Sequence, residues 1–555
     1  MKIQKKNNLS GGIKDRRDAK SNMTVYAGII TYIISLGMRI PLSRVIGDTG
    51  IALFAPAYEL FILCALIFSY GISRTMAGLI RYRMKRAQYK CARKVFQIAF
   101  KISLIVSVVI ALIIAFSSDF LSEVLVLESM SKKAIIAAAP ALILTALVNL
   151  LRGYFNGNGF GVLVAHSQYI EKITMVIASL SGGRICYEYG QKVEALIKNN
   201  MAAYAYGALG VVVGIIISQL ITLIYLLFVF IIYSGTWKRQ LSQDSGRRME
   251  SSGEIMGMLF ANSIPAALSA ILLNVFMLID QRFFNYSMNY MDLADTRAAL
   301  WGSYYGKFAV LTGIGAALVC LAVHGNTAKA VTAYEKGEYH ITRERIGSAV
   351  KKLCVTAFPI AFYLTVLAEA FIDGLYQGEN VQAVSLLKQG TVIIFLYGIA
   401  YLFGQLLLKL HMLKELFLSI IIALAVHFAA AFFMVRKGLM GAEGILYSVI
   451  LFTLILAVLC FVFAGRKLQY RQEWLYSVAF PAASAAVAGL VVMLLGKVLL
   501  SLIGNIPTIL ISCLIGTFFY ILLLMVLRVL NEAELADFPL GGLMIAIGRL
   551  IGVLR

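Results

Sequence analysis

Arg152-Gly153-Tyr154-Phe155-Asn156-Gly157, continued by Asn158-Gly159-Phe160-Gly161, is a polar, glycine-rich junction wedged between two long apolar runs. Its glycines do not make a phosphate-cradling loop, because no strand precedes them and no Gly-Lys-Ser/Thr follows. The segment reads as a tight turn joining two membrane helices. Working outward, apolar runs like its flanks recur along the whole chain. Hydrophobic residues make up 60% of the 555, and mean hydropathy is +0.83. A soluble domain is about 45–50% apolar, so a water-soluble globule of this length is excluded. Apolar stretches of about 18 or more residues divide the chain into about fourteen spans between positions 22 and 530. The run at 164–183 is interrupted by Glu171 and Lys172. The expected fold is an all-α polytopic membrane protein.

The 50 Lys and Arg against 28 Asp and Glu do not signal a nucleic-acid partner. The excess sits in alternate connections, as the positive-inside rule requires. Lys14, Arg16, Arg17 and Lys20 mark the N-terminal tail, Arg81, Arg83, Lys85 and Arg86 the second connection, and Arg466, Lys467 and Arg471 a late one. Asp119, Glu123 and Glu128 lie in an opposite connection. Both termini are expected in the cytoplasm of a multi-pass inner-membrane protein, which agrees with an even number of spans. The basic tail precedes an apolar run long enough to remain as a signal anchor. The seven cysteines are scattered without a C-x-x-C pair, and the five histidines lack metal-ligand spacing, so neither a disulfide framework, a metal site nor a cofactor is expected.

The expected organisation is a cytoplasmic tail at 1–21, a six-span lobe at 22–233 and a linker at 234–254. A second six-span lobe at 255–464, two further helices at 465–530 and a cytoplasmic tail at 531–555 complete it. Within the last tail, Leu543 to Ile551 reads as an interfacial helix. Tyr70-Gly71-Ile72-Ser73 and His324-Gly325-Asn326-Thr327 close spans 2 and 8 in a similar way. That likeness suggests parallel repeats with a substrate site between them.

Ionisable side chains inside a span are costly and usually face a cavity or a partner. They are Arg39 in span 1 with Arg44 at its end, Glu59 and Arg74 in span 2, Glu171 and Lys172 in span 5, Asp280 and Arg282 in span 7, Lys307 in span 8, and Glu369 near the end of span 9. A cavity with this basic bias would suit an anion such as a pyrophosphate, to which arginine donates two hydrogen bonds while staying charged. The plainer alternatives are snorkelling of Arg44, Arg74 and Arg282 to headgroups, and simple neutralisation by Glu59 and Asp280. Glu171 with Lys172 reads as a packing feature at the start of a span.

The junction at 152–157 with Ala165-His166-Ser167-Gln168-Tyr169-Ile170-Glu171 resembles the R-G-Y-F-Q-G … A-x-S-Q-x-x-E run of the stage V sporulation protein B and MurJ-like lipid II flippase family. Further likenesses are Arg39-Ile40-Pro41-Leu42-Ser43-Arg44, Ala57-Tyr58-Glu59, Leu278-Ile279-Asp280 and Ala333-Tyr334-Glu335-Lys336-Gly337. The resemblance implies a MATE-like fold of two six-helix lobes plus two helices. It also implies alternating access for a polyprenyl-pyrophosphate-linked cell-wall precursor, with membrane lipids and cell-wall synthesis enzymes as partners, and no enzymatic activity. Arg39 and Arg44 fall on the family's first-span cavity motif. Arg152, Gly153, Asn156 and Gly157 fall on a motif that shapes the cytoplasmic gate.

The chain departs from the family where Ser73 and His324 replace prolines near the inner ends of spans 2 and 8, and Leu163 replaces another. Missing prolines remove a common cause of helix kinks, which bears on that gate. The expectation is therefore a lipid-linked oligosaccharide flippase in which Arg39, Arg44, Arg74, Arg282 and Lys307 line the cavity with Glu59 and Asp280. Two alternatives stay open: a cation-coupled multidrug exporter of the same superfamily, and a non-transporting scaffold for cell-wall or spore-envelope synthesis.

Overall fold

The computed structural model describes residues 23–244, 250–378 and 380–530, together with Glu532, Gly542, Ile545, Ala546 and Arg549. The basic tail at 1–21 and most of the expected interfacial helix at 543–551 lie outside the described residues. Those residues form helices and connections, with no strand among them.

Twelve helices among the described residues are long and apolar enough to cross a membrane, two fewer than expected, and both differences can be located. The run Met23–Met84 turns back on itself at Gly47, whose φ of 67° and ψ of 173° are non-helical and open to glycine at little cost. Ser35 and Tyr58 stand twelve and eleven residues either side of Gly47, and their hydroxyls meet at 2.8 Å. A straight helix would hold them about 35 Å apart, so 23–46 and 48–84 are antiparallel arms, α1 and α2. The second difference is the 37-residue helix Gly161–Ile197, where His166, Gln168, Glu171 and Lys172 dilute the apolar run.

Contacts divide the chain into two compact units. The first comprises residues 1–306 and 435–441, the second 307–434 and 442–555. The expected linker at 234–254 lies within the first unit.

In the first unit α1 and α2 are followed by α3 (Tyr89–Phe116), α4 (Lys132–Gly157), α5 (Gly161–Ile197) and α6 (Ala202–Ser242). Then come α7 (Ser252–Tyr290) and the start of α8 (Arg297–Glu335). Helix α3 shows how the membrane reverses the usual pattern. Ala99, Ser103, Ser107 and Ala111, four residues apart, are buried, whereas Ile105, Ile113 and Phe116 face outward. Small residues let helices approach, and apolar bulk is stable against lipid.

The 152–157 junction becomes the end of α4. Gly153 and Gly157, one helical turn apart, lie against α2. A Cβ on Gly153 would fall 2.6 Å from Ser73 Oγ, and one on Gly157 2.8 Å from Ile80 Cβ. The residues between them serve other neighbours. Tyr154 packs on Phe96, Phe230 and Trp237, and the Asn156 carbonyl accepts from Arg81 at 3.1 Å.

Ser73 ends a π-helical turn, Ile67–Ser73, and its hydroxyl donates to the Asn149 carbonyl at 2.7 Å. The i→i+4 ladder of α2 is thus interrupted without proline. A π-helical turn is itself a recognised cause of kinking, so the missing proline does not leave α2 without one.

In the second unit the remainder of α8 is followed by α9 (Tyr339–Val366), α10 (Val392–Lys409), α11 (Leu413–Lys437) as far as Met434, α12 (Gly441–Leu468) from Ala442, α13 (Leu475–Ile503) and α14 (Asn505–Val526). Helices α13 and α14 pack on one another and on α9 through a core containing Tyr363, Val492 and Tyr520.

Candidate functional site

Arg39 stands eight residues before Gly47 and Glu59 twelve after it, so the reversal at Gly47 brings them to neighbouring turns of antiparallel helices. The Arg39 side chain is 6% exposed, and its Nη2 lies 3.9 Å from Glu59 Oε1. Tyr305 on α8 completes the group. Arg39 Nη2 donates to Tyr305 Oη at 2.7 Å and Nη1 to the Tyr305 carbonyl at 3.3 Å. The Tyr305 hydroxyl in turn donates to Glu59 Oε1. The guanidinium also sits 3.9 Å from the Tyr305 ring centroid and 5.3 Å from that of Tyr58. An arginine buried this way exchanges hydration for a carboxylate, a phenol oxygen and two ring faces. All of these groups belong to the first unit.

A second ionic cluster of the same unit joins α4 to α5. Arg152 Nη1 lies 2.6 Å from Glu171 Oε2, while Lys172 Nζ holds the other carboxylate oxygen at 2.9 Å. Arg152 Nε donates to Ser167 Oγ and Nη2 to the Ser167 carbonyl, each at 2.9 Å. Lys172 is also within electrostatic reach of the Tyr58 hydroxyl, which itself bonds Ser35. Together the two clusters hold three cations, Arg39, Arg152 and Lys172, against two carboxylates.

The other expected residues are dispersed. Arg44 and Arg74 are exposed. Arg74 stands fifteen residues beyond Glu59, about 22 Å along α2, so one pyrophosphate would not bridge Arg39 and Arg74. Arg282 donates to the Val124 carbonyl in the connection before α4. Asp280 is fully buried, in electrostatic reach of Tyr304. Lys307 belongs to the second unit, where it is fully buried and donates to Asn380 Oδ1 at 2.8 Å. His324 Nδ1 lies 3.2 Å from Tyr401 Oη within an unbroken helix, Ala309–Glu335.

Four members of the clusters were not legible as site residues: Tyr305, Tyr58, Glu171 and Lys172. The interruption of an apolar run by Glu171 was the available signal for the last two. Nothing local marks Tyr305, which lies 266 residues from the arginine it holds.

Residues 19–323 match the family described as polysaccharide biosynthesis protein. Stage V sporulation protein B of Bacillus subtilis (strain 168) is 21% identical over 214 residues, which are 39% of this chain and 39% of that relative. The chain thus matches well under half of that relative's length. Among solved structures, an inward-facing multidrug resistance MATE family transporter of the MOP superfamily aligns with a TM-score of 0.56 at 15% identity, over 79% of this chain and 94% of its own. A MOP superfamily transporter from Pyrococcus furiosus, described as having a binding pocket of reverse polarity, aligns with a TM-score of 0.54 at 16% identity, over 82% and 96%. These structural likenesses establish the fold as MATE-like.

Proposed function

This chain belongs to the polysaccharide biosynthesis protein family, and we propose that it carries a polyprenyl-pyrophosphate-linked cell-wall or polysaccharide precursor across the cytoplasmic membrane by alternating access. The observation that carries this reading is the buried Arg39 bound to Tyr305 and Glu59. A guanidinium placed inside the membrane with aromatic and carboxylate partners is suited to exchange one anionic partner for another. A pyrophosphate brings more negative charge than Glu59, which Arg39 approaches through one oxygen at 3.9 Å, and can accept two hydrogen bonds from the guanidinium fork. Glu59 would hold Arg39 while the site is empty and yield it when the headgroup arrives. Arg152 and Lys172 supply further positive potential, and Glu171 keeps both in place.

The test is transport in reconstituted vesicles, reading the protection of a fluorescent polyprenyl-pyrophosphate sugar lipid from a membrane-impermeant reductant. Wild-type protein is expected to move the lipid, and Arg39→Gln to slow it at least about tenfold, the loss of one charge-assisted bond, while eluting as a folded monodisperse species. Equal rates overturn the assignment.

A cation-coupled multidrug exporter is the rival reading, and one observation favours it: Glu59 and Glu171 are buried carboxylates of the kind that bind a coupling cation. Gradient-driven dye efflux lost in Glu59→Gln, with no lipid movement, would decide for it. A protein that moves neither lipid nor dye would be a scaffold.

A further inference from the structure

In the second unit, one face of α9 and the connection between α12 and α13 line a broadly open recess of about 980 Å³. Arg343, Gly347 and Lys351 come from α9 at intervals of four residues, one stripe of a helix, and Arg471 comes from the connection. The connection is folded rather than slack, because the Tyr470 amide donates to the Gly465 carbonyl at 2.9 Å. Arg343 is fastened to it, with Nε on the Leu468 carbonyl and Nη2 on Gln469 Oε1, both at 3.1 Å. That uses two of five guanidinium donors and fixes the plane of the group. Glu344 and Glu473 also line the cavity, and both are exposed. Across 343–352 and 466–473 seven cations stand against these two carboxylates. Immediately beyond, Trp474, Leu475 and Tyr476 are exposed at the start of α13, the residue types that settle at a membrane–water boundary.

We propose that this cavity is a second anion site, separate from the Arg39 network, and that it binds the phosphoryl headgroup of a membrane amphiphile on the face expected to be cytoplasmic. Basic recesses between membrane helices at that level take anionic headgroups. The mixed lining here adds the Ser348 and Ser477 hydroxyls, donors suited to phosphate oxygens, while the Tyr470 hydroxyl donates to Gln472 Oε1 at 2.7 Å. The exposed aromatic segment supplies a surface for the acyl chains, which a freely soluble phosphate would not need.

The experiment is native mass spectrometry of the full-length protein with phosphatidylglycerol, with phosphatidylcholine, and with inorganic pyrophosphate as a soluble probe. Wild-type protein is expected to retain phosphatidylglycerol about tenfold or more in preference to phosphatidylcholine, from the three cations lining the cavity. The double variant Arg343→Gln/Arg471→Gln removes charge. Gly347→Leu fills the space instead: its Cβ would meet only Tyr470 Oη, at 3.7 Å, and leucine is the better helix former, so folding is not at risk there. Both variants are expected to lose the preference, and Arg39→Gln to keep it, which separates this site from the transport site. Competition by pyrophosphate confirms that the phosphoryl group is what is read, and retention of lipid without competition assigns the site to an intact headgroup at the membrane. Equal retention of the two lipids by wild-type protein, or an undiminished preference in Gly347→Leu, overturns the proposal.

Discussion

Arg152 on α4 and Glu171 on α5 are joined at 2.6 Å, with side chains 11% and 8% exposed, and Lys172 shares the same carboxylate. One buried anion therefore holds two half-buried cations, Lys172 on its own helix and Arg152 across the helix pair. Breaking such an arrangement from one side leaves uncompensated charge, which costs about 3–5 kcal/mol.

Glu171→Gln is accordingly expected to lower stability by about that amount. The double variant Glu171→Gln/Lys172→Met should recover part of the loss, because only one cation is then left without its anion. Thermal unfolding of the detergent-solubilised variants measures both. A double variant no more stable than Glu171→Gln would show that Lys172 is neutralised elsewhere.

Tyr305→Phe removes the hydroxyl that accepts from Arg39 and donates to Glu59 while keeping the ring that the guanidinium faces. It is expected to fold normally and to slow lipid movement several-fold, the consequence of about 1–2 kcal/mol of lost hydrogen bonding. Arg39→Lys should be nearly as impaired as Arg39→Gln, since a point charge does not reproduce the fork. Vesicle transport rates compare the three, and wild-type rates in Arg39→Lys would show that charge alone suffices.

The α4–α2 crossing is expected to resist any side chain at Gly153, in proportion to its size, since even a Cβ would lie 2.7 Å from Met76 Cε and 2.8 Å from the Ser73 carbonyl. Gly153→Ala should cost about 1–3 kcal/mol by overpacking, and Gly153→Leu should abolish recovery of folded protein. Gly78→Ala, with nothing within 4 Å of the added atom, is the matched control. Yield and monodispersity on size exclusion report the difference.

Outside the membrane spans, Glu128 accepts from Arg297 Nη2 at 3.0 Å, and its burial pushes the carboxyl above the ordinary range in spite of that arginine. A carboxyl raised on folding binds its proton more tightly in the folded state. Its contribution to stability is therefore present at low pH and is lost as pH rises through the raised value. Arg297→Ala removes the compensating charge, so its destabilisation is expected to be larger at pH 8 than at pH 5. Melting curves of wild type and variant at the two values check the sign.

The helical hairpins were legible because the cost of leaving backbone polar groups unpaired in lipid is local: a run of apolar residues must be helical, and a polar glycine cluster must be where it ends. Glu171 and Lys172 show the limit of that signal. They weaken an apolar run, which sequence reading takes as a packing feature, whereas they and Arg152 form a shared ionic centre. The four arginines expected to act together illustrate the converse. Charge type alone grouped them, but fifteen residues of α2, about 22 Å of helix, separate Arg74 from Glu59 and keep it far from Arg39.

What the amino-acid sequence determined by itself is the class of the molecule, the positions of its helices and the presence of costly charges within them, because hydrophobic runs and intramembrane ionisable groups are properties of single segments. Only the tertiary structure decided which charges meet. The reversal at Gly47 carries Arg39 to Glu59, and Tyr305 arrives from 266 residues away. Contacts between distant segments depend on how helices turn and cross, and no residue's own chemistry specifies a partner that far along the chain.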